Sequence, residues 1–413
     1  MADAAGGRVK ISGAKNAVLP IIAATLLGQD TPSLLDEVPA LEDVHTITEV
    51  LRKLGVRADF DAEKHQLFVD STVIGSCEAP YDLVRKMRAS FLIMGPLLAR
   101  CGQAKISLPG GCAIGTRPID LHLKGFEALG AEIKIGHGFI EAAAPEGLKG
   151  AKIYLDFPSV GATENIIMAL RWRRARPSSR IRLRNRRSSI SPITSMSWGQ
   201  GSGEPVRMSS RSRACRSSRA AITQSSRIAL RRGRTWCCRD DARRCLHREC
   251  ISEHLKPVIA KLKEAGVTIE EDVDGIRVTC DHRTKSVDIK TMPYPGFPTD
   301  MQAQFMAMMA ISEGTGVVTE TVFENRFMHV DELKRMGANI KIDGRTSIVE
   351  GVEKLYGCQV KATDLRAGAA MVLAGLVAEG ETQVGYIHHI DRGYDNLVAK
   401  LVGLGADICR VDK

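Results

Sequence analysis

Long apolar runs are missing from this chain of 413 residues. No stretch of about 18 apolar residues occurs, so no membrane-spanning helix is expected. The N-terminus, Met1-Ala-Asp-Ala-Ala-Gly-Gly, lacks the charged-then-apolar order of a secretory signal. Eleven cysteines are an odd number without framework spacing, in a chain too large to need covalent staples. That excludes a disulfide scaffold and reads as reduced thiols in the cytoplasm. Aromatic residues are only 5% of the chain and are not interleaved with the basic ones, so no stacking platform for nucleic acid is laid out.

Lysine is replaced by arginine in one long stretch. Residues 171–248 hold 22 Arg, no Lys and three acidic residues (Glu204, Asp240, Asp241). All three tryptophans, Trp172, Trp198 and Trp236, also lie there. The rest of the chain carries 36 basic against 45 acidic side chains, so the formal charge of +10 comes from this segment. It therefore does not argue for a polyanion partner of the whole protein. A shifted reading frame in GC-rich DNA produces such a partition, because it turns GC-rich codons into Arg and Ser. Trp has a single codon, and reading one base earlier around Trp198 lets Ser195 to Ser202 decode as Leu-Asn-Val-Met-Gly-Ala-Gly-Ile. Thr223 to Trp236 can likewise become His-Thr-Val-Ile-Pro-Asp-Arg-Ile-Glu-Ala-Gly-Thr-Tyr-Met. The competing reading is a genuine Arg/Ser-rich insert, disordered or nucleic-acid binding. Cys237, Cys238, Cys245 and Cys250 would suit zinc by type, but the first three fall in the suspect segment and no metal is expected.

A helix end, a turn and a strand recur through the chain. The pattern reads Leu54-Gly55-Val56, Leu129-Gly130-Ala131, Ala265-Gly266-Val267, Met336-Gly337-Ala338 and Leu404-Gly405-Ala406, each continuing as alternating residues. The frame-corrected Met-Gly-Ala-Gly-Ile around Gly199 makes a sixth copy, and successive glycines are 75, 69, 67, 71 and 68 residues apart. Glycine ends an amphipathic helix in a left-handed cap and the next residues start a strand. Six such α/β units predict a repetitive protein of two lobes with three units in each.

Several junctions carry chemistry. Ser12-Gly13-Ala14-Lys15-Asn16 lies between a short strand (8–11) and an apolar helix (17–27), a place where Lys15 and Asn16 can hold an anion; the competing reading is a surface turn with a solvated Lys. Leu108-Pro109-Gly110-Gly111-Cys112-Ala113-Ile114-Gly115 predicts a flexible loop with a thiol that Arg117 and His122 would bias toward thiolate. Arg85, Lys86, Arg88, Arg326, Arg366 and Arg392 sit at element junctions, and guanidinium suits a two-pronged grip on carboxylate or phosphate. Pro293-Tyr-Pro-Gly-Phe-Pro-Thr-Asp300 delivers a carboxylate at the start of a helix (301–312), where Asp300 can cap the helix, accept a proton, or both.

These motifs together resemble the UDP-N-acetylglucosamine enolpyruvyl transferases. The resemblance runs through Ile11 to Ala17, Pro80 to Ser90, Leu108 to Gly115, Arg117 to Gly125, Ser159-Val-Gly-Ala-Thr-Glu-Asn165, Pro293 to Gln304, Phe323 to His329, Thr363 to Arg366 and Asp391-Arg-Gly-Tyr394. It covers 8–170 and 250–413 and implies two lobes, each an inside-out α/β barrel of three βα repeats. The first lobe is expected over 14–226, native-like to about 170, and the second over 1–13 with 227–413, native-like from about 250. The part at 171–249 is expected to be disordered or non-native. The implied reaction moves the enolpyruvyl group of phosphoenolpyruvate to the 3-hydroxyl of UDP-N-acetylglucosamine, at the entry to peptidoglycan synthesis, with no cofactor, nucleic-acid or membrane partner. Carried over by motif, Cys112 is the thiol acid, and Asp300 takes the sugar proton. Lys15, Arg88, Arg117 and Arg392 hold phosphoenolpyruvate, while Arg326 and Arg366 support catalysis. Asn16, Arg117, Asp120, His122, Ser159, Val160, Gly161, Asp300 and Val322 are expected around the UDP-sugar.

Three departures stand out. The N-terminus is shorter than usual, which would trim the strand completing the second lobe. Phe157 replaces a residue commonly basic, and the segment 171–249 displaces the hinge-proximal Pro-Asp-Arg-Ile-Glu string. If the segment is a frame displacement, resequencing the coding DNA across codons 165 to 255 will restore three single bases, near Arg171, Trp236 and Glu249. An unaltered reading would refute it and leave a broken gene.

Overall fold

The computed structural model describes residues 8–10, 12–108, 119–156, 159–171, 206–209, 244–248, 252–272 and 275–411. They fall into two compact units, one within 13–209 and the other made of 8–12 with the residues from 244 onward. Each unit has its own apolar core.

The repeat seen in the sequence is a structural module. In the first unit it runs edge strand Glu78–Ala79, buried helix Met94–Cys101, strand Gln103–Ser107, surface helix Asp120–Ala128, and the hairpin Glu132–Gly136 with Phe139–Ala143. The edge strand pairs parallel with Gln103–Ser107, and both other pairings are antiparallel. The second unit repeats this order of pairing in Ile289–Lys290, Thr315–Thr319, Thr346–Glu350 and Asn339–Asp343. Two further sheets have the same topology but take their edge strand from a distant part of the chain. Ser33–Asp36 pairs with Val206–Ser209 in the first unit, and Arg244–Arg248 pairs with Arg8–Lys10 in the second. Both borrowed pairings use backbone from the arginine-rich segment. The strand expected to be trimmed is present at Arg8–Lys10.

Composition decides which helices go inside. Gln302–Met309 (QAQFMAMM) has every residue buried, and Leu365–Gly375 (LRAGAAMVLAG) is buried from Arg366 to Ala374. A helix without a polar face can only be a core element, and these two pack on each other. Lys15–Ala24 plays the same part in the first unit, buried from Ala17 to Ala24, and continues as a 3-10 turn, Thr25–Leu27. The surface helices are amphipathic. Glu42–Lys53 buries Val44, Ile47, Val50 and Leu51, with acids in its first turn and bases in its last, as the helix dipole favours. Each large side chain taken fully out of water contributes about 1.5–3 kcal/mol, so the helices without a polar face lie inside.

All five described repeat glycines are left-handed, with φ of +81° at Gly55, +88° at Gly130, +91° at Gly266, +94° at Gly337 and +88° at Gly405. Each makes the same pair of backbone bonds, such as Gly337 N–H to Lys334 O at 2.9 Å and Ala338 N–H to Leu333 O at 3.1 Å. That is a Schellman closure. Gly199 lies outside the described residues. The last copy departs from expectation in one respect: after Gly405, residues 406–411 form no strand, because no ladder partner lies beside them among the described residues.

Glycine has a second use between helices. A Cβ at Gly95 would collide with Asn165 O and Oδ1, and one at Gly125 would overlap the Ile166 side chain. These two positions let the helix Val160–Arg171 approach both Met94–Cys101 and Asp120–Ala128. Gly405→Ala has open space around it, so it should cost only the left-handed strain, about 1–2 kcal/mol. Gly95→Ala should cost clearly more. Urea unfolding of the two variants checks this, and equal losses would contradict the close approach.

Candidate active-site residues

In the second unit, Asp300 stands in the 3-10 turn Thr299–Met301, and the following helix has Met301 at its N-cap. The capping reading of Asp300 is therefore replaced by another. Its Oδ1 accepts from Arg326 Nη2 at 3.0 Å and its Oδ2 from Arg366 Nη2 at 2.5 Å. Both arginines are buried, at 3% and 7% exposure, so the carboxylate is held by two desolvated guanidinium groups. Tyr394 Oη accepts from Arg366 Nη1 at 2.8 Å and lies 3.4 Å from Gln304 Nε2. Burial alone would lower the Arg366 pKa, but the Asp300 carboxylate and Tyr394 override it and raise it above its ordinary value. Truncating either member of such a buried pair would strand the other charge.

A second carboxylate, which sequence reasoning missed, holds the surroundings of Asp300. Glu320 is 1% exposed. Its Oε1 accepts from Thr291 Oγ1 and Val322 N at 2.8 Å and from Phe323 N at 3.2 Å, and its Oε2 accepts from Thr299 Oγ1 at 2.8 Å. It ties the residue before Asp300 to the loop bearing Val322. Nothing in the sequence marks it, because the two threonines it joins lie 29 and 21 residues before it. Arg392 is half-buried just beyond the short helix His388–Asp391.

In the first unit, Lys15 opens the helix Lys15–Ala24, and its Nζ donates to Asp43 Oδ2 at 2.8 Å. Asp43 is buried, so Lys15 is an ion-paired group rather than the solvated one of the simpler reading. The signal for Asp43 was only an acid in the first turn of a helix. Asn16 and Asp120 are exposed. Ser159 caps the helix Val160–Arg171 by accepting from Ala162 N at 3.3 Å, and Val160 stands 75% exposed beside Gly161. His122 packs edge-on against Phe91, with centroids 5.1 Å apart. Burial, then the nearby Arg88 charge, push its pKa down to about 4. The structure thus gathers Arg88, His122 and Gly161 in one neighbourhood, and Asp300, Arg326 and Arg366 in another. Cys112, Arg117 and Phe157 lie outside the described residues, as do Cys237, Cys238 and Cys250. No cluster of metal-binding side chains occurs among the described residues.

Three comparisons bear on this arrangement. A family described as EPSP synthase (3-phosphoshikimate 1-carboxyvinyltransferase) matches residues 2–190 and 247–401. The UDP-N-acetylglucosamine 1-carboxyvinyltransferase 1 of Caldanaerobacter subterraneus subsp. tengcongensis is 51% identical, with 98% of this chain and 96% of that protein aligned. The chain belongs to the UDP-N-acetylglucosamine 1-carboxyvinyltransferase family. The family's second protein from Carboxydothermus hydrogenoformans is also 51% identical, over the same shares of each chain. Among solved structures, the enolpyruvyl transferase NikO from Streptomyces tendae has a TM-score of 0.75 at 21% identity, covering 97% of this chain and 95% of its own. That likeness establishes the fold, the inside-out α/β arrangement of enolpyruvyl transferases. The stretch that the family profile leaves unmatched, 191–246, falls inside the arginine-rich segment.

Two neutral rings, part-buried His122 and buried His329, make stability depend on pH. Burial also pushes His329 down to about 4, against the opposing pull of Asp364. The unfolded rings titrate near 6.5, so between pH 6.5 and 4 the unfolded chain binds more protons. The stability contributed by the neutral rings is complete above pH 6.5 and is lost as pH falls toward 4. Glu164, whose carboxyl burial raises to about 8, works in the opposite sense, so the histidines are read by difference. His329→Gln should flatten the decline in urea midpoint between pH 6.5 and 4. An unchanged slope would contradict the buried neutral ring.

Proposed function

We propose that this chain transfers the enolpyruvyl group of phosphoenolpyruvate to the 3-hydroxyl of UDP-N-acetylglucosamine, releasing phosphate. The observation that carries the reading is 51% identity to a UDP-N-acetylglucosamine 1-carboxyvinyltransferase across 98% of the chain. In this reading the sugar oxygen bonds to C2 of phosphoenolpyruvate while C3 gains a proton. The C2–O bond to phosphate then breaks, C3 loses a proton, and the vinyl ether remains on the sugar. The product enters peptidoglycan synthesis, and thereby cell shape and division. The thiols Cys77, Cys101, Cys358 and Cys409 are consistent with work in the cytoplasm.

Addition and elimination need an acid and a base. Cys112 is the acid that serves C3. Asp300 takes the hydroxyl proton, and the guanidinium pair on its two oxygens holds the carboxylate in place as an anion. Lys15, Arg88, Arg117 and Arg392 stabilise the phosphate and carboxylate of phosphoenolpyruvate. Asn16, Asp120, His122, Ser159, Val160, Gly161 and Val322 meet the UDP-sugar. A shikimate 3-phosphate acceptor is the rival reading within the same chemistry, and the thiol in Gly110-Gly111-Cys112 argues against it.

The arginine-rich segment bears on whether the chain as written turns over. We infer a frame displacement there, and activity is to be assayed on both the written and the frame-restored chain. In the restored chain, Cys112→Ser should lower phosphate release on the order of 10²- to 10⁴-fold, the usual worth of a positioned acid. Cys112→Asp, which keeps a proton donor, should retain part of it. Unchanged release by Cys112→Ser would remove the thiol from the acid role.

A further inference from the structure

The side chain that decides what His122 can do is Asn165, fully buried in the middle of the helix Val160–Arg171. Its Oδ1 accepts from Gly95 N at 2.7 Å, and its Nδ2 donates to Phe91 O at 2.9 Å. A backbone N–H can only donate and a carbonyl can only accept. The amide is therefore oriented by two fixed partners, because turning it over would set N–H against NH₂ and oxygen against oxygen. Its second Nδ2 hydrogen is directed at His122 Nδ1, 3.1 Å away. That nitrogen must then accept, and a neutral imidazole that accepts at Nδ1 carries its proton at Nε2.

We propose that Asn165 is a positioning residue that fixes His122 as a neutral Nε2–H donor, offered to an acceptor oxygen of the UDP-sugar beside Gly161. The placement of Nε2 supports the second half of the statement: a Cβ added at Gly161 would lie 3.6 Å from both Nε2 and Cε1. Gly161 and the exposed Val160 form the first turn of the helix that carries Asn165. One helix thus supplies the surface next to the donor and, one turn deeper, the group that orients it. The close approach that brings Asn165 to Gly95 and Phe91 is what the missing Cβ at Gly95 allows.

Among the charged groups on the surrounding elements are Arg88 on the adjoining 3-10 turn, Arg100 on Met94–Cys101 and Glu164 on the helix of Asn165. Asp120, Lys124 and Glu127 lie on the ring's own helix. Arg88 is the one that acts on the ring, and with burial it disfavours the imidazolium. His122 therefore contributes a directed hydrogen bond rather than a charge. This rests on the functional reading for the identity of the ligand, but not for the state of the ring.

The test is an NMR spectrum of the imidazole nitrogens of the ¹⁵N-labelled full chain, with His122 assigned by its loss in His122→Gln. Without ligand, His122 is expected to show a protonated Nε2 and a bare Nδ1, unchanged from pH 5 to 8, and adding UDP-N-acetylglucosamine should shift the Nε2 signal. Asn165→Asp, nearly isosteric, places a carboxylate oxygen at Nδ1. It should move the proton there, raise the ring's titration into this range and make KM for the UDP-sugar depend on pH. Asn165→Leu should raise that KM on the order of tenfold, the loss of about one directed hydrogen bond, with kcat much less affected. A proton at Nδ1 in the unaltered chain, or ordinary titration between pH 6 and 7, overturns the inference whether or not the chain turns over UDP-N-acetylglucosamine. Turnover of that sugar with no response at Nε2 overturns the donor role. Failure of the functional reading would appear instead in phosphate release, with the ring still in the expected state.

Discussion

The left-handed glycine closure at the end of each surface helix is the constraint from which the architecture follows. It turns the chain back by one fixed geometry at Gly55, Gly130, Gly266, Gly337 and Gly405, and in the first four it sends the next strand onto the sheet that the helix covers. With that turn fixed, the helices without a polar face, such as Gln302–Met309 and Leu365–Gly375, have only the interior left to them. The side chains proposed for catalysis then ride on the junctions between these elements. Lys15 opens one buried helix, Asp300 stands in the 3-10 turn leading into another, and Arg366 lies in the first turn of a third.

Each of those side chains is held by something buried. Lys15 meets Asp43, Asp300 meets two buried guanidinium groups, and His122 meets Asn165. Low local dielectric strengthens these contacts when they are complete and penalises them when a partner is lost. That makes the supporting residues as restrictive as the ones proposed to meet substrate. Glu320 shows the point: it contacts no proposed ligand, yet four donors from three stretches of chain meet on its carboxylate.

The repeat, the glycine caps and the junction motifs were legible in the sequence because their signals are local. A glycine between a helix end and alternating residues, a helix with no polar face, or a Pro-rich run ending in Asp300 each declares itself within about ten residues. Asp43, Glu320 and the roles of Tyr394 and Asn165 were not legible. Their partners are brought together only by the fold, as when Asn165 reaches Phe91 across 74 positions and Arg366 reaches Asp300 across 66. The strand missing after Gly405 was misread for the same reason, since a strand needs a neighbour that local alternation does not supply. The arginine-rich segment contributes backbone to two sheets, at Val206–Ser209 and at Arg244–Arg248.

The central claim is that this fold, with its clamped Asp300 and its oriented His122, serves a nucleotide sugar as acceptor. The most direct test is phosphate release from phosphoenolpyruvate by the frame-restored chain, with one acceptor offered at a time. The account predicts release with UDP-N-acetylglucosamine and none with shikimate 3-phosphate. Release with shikimate 3-phosphate alone would contradict it.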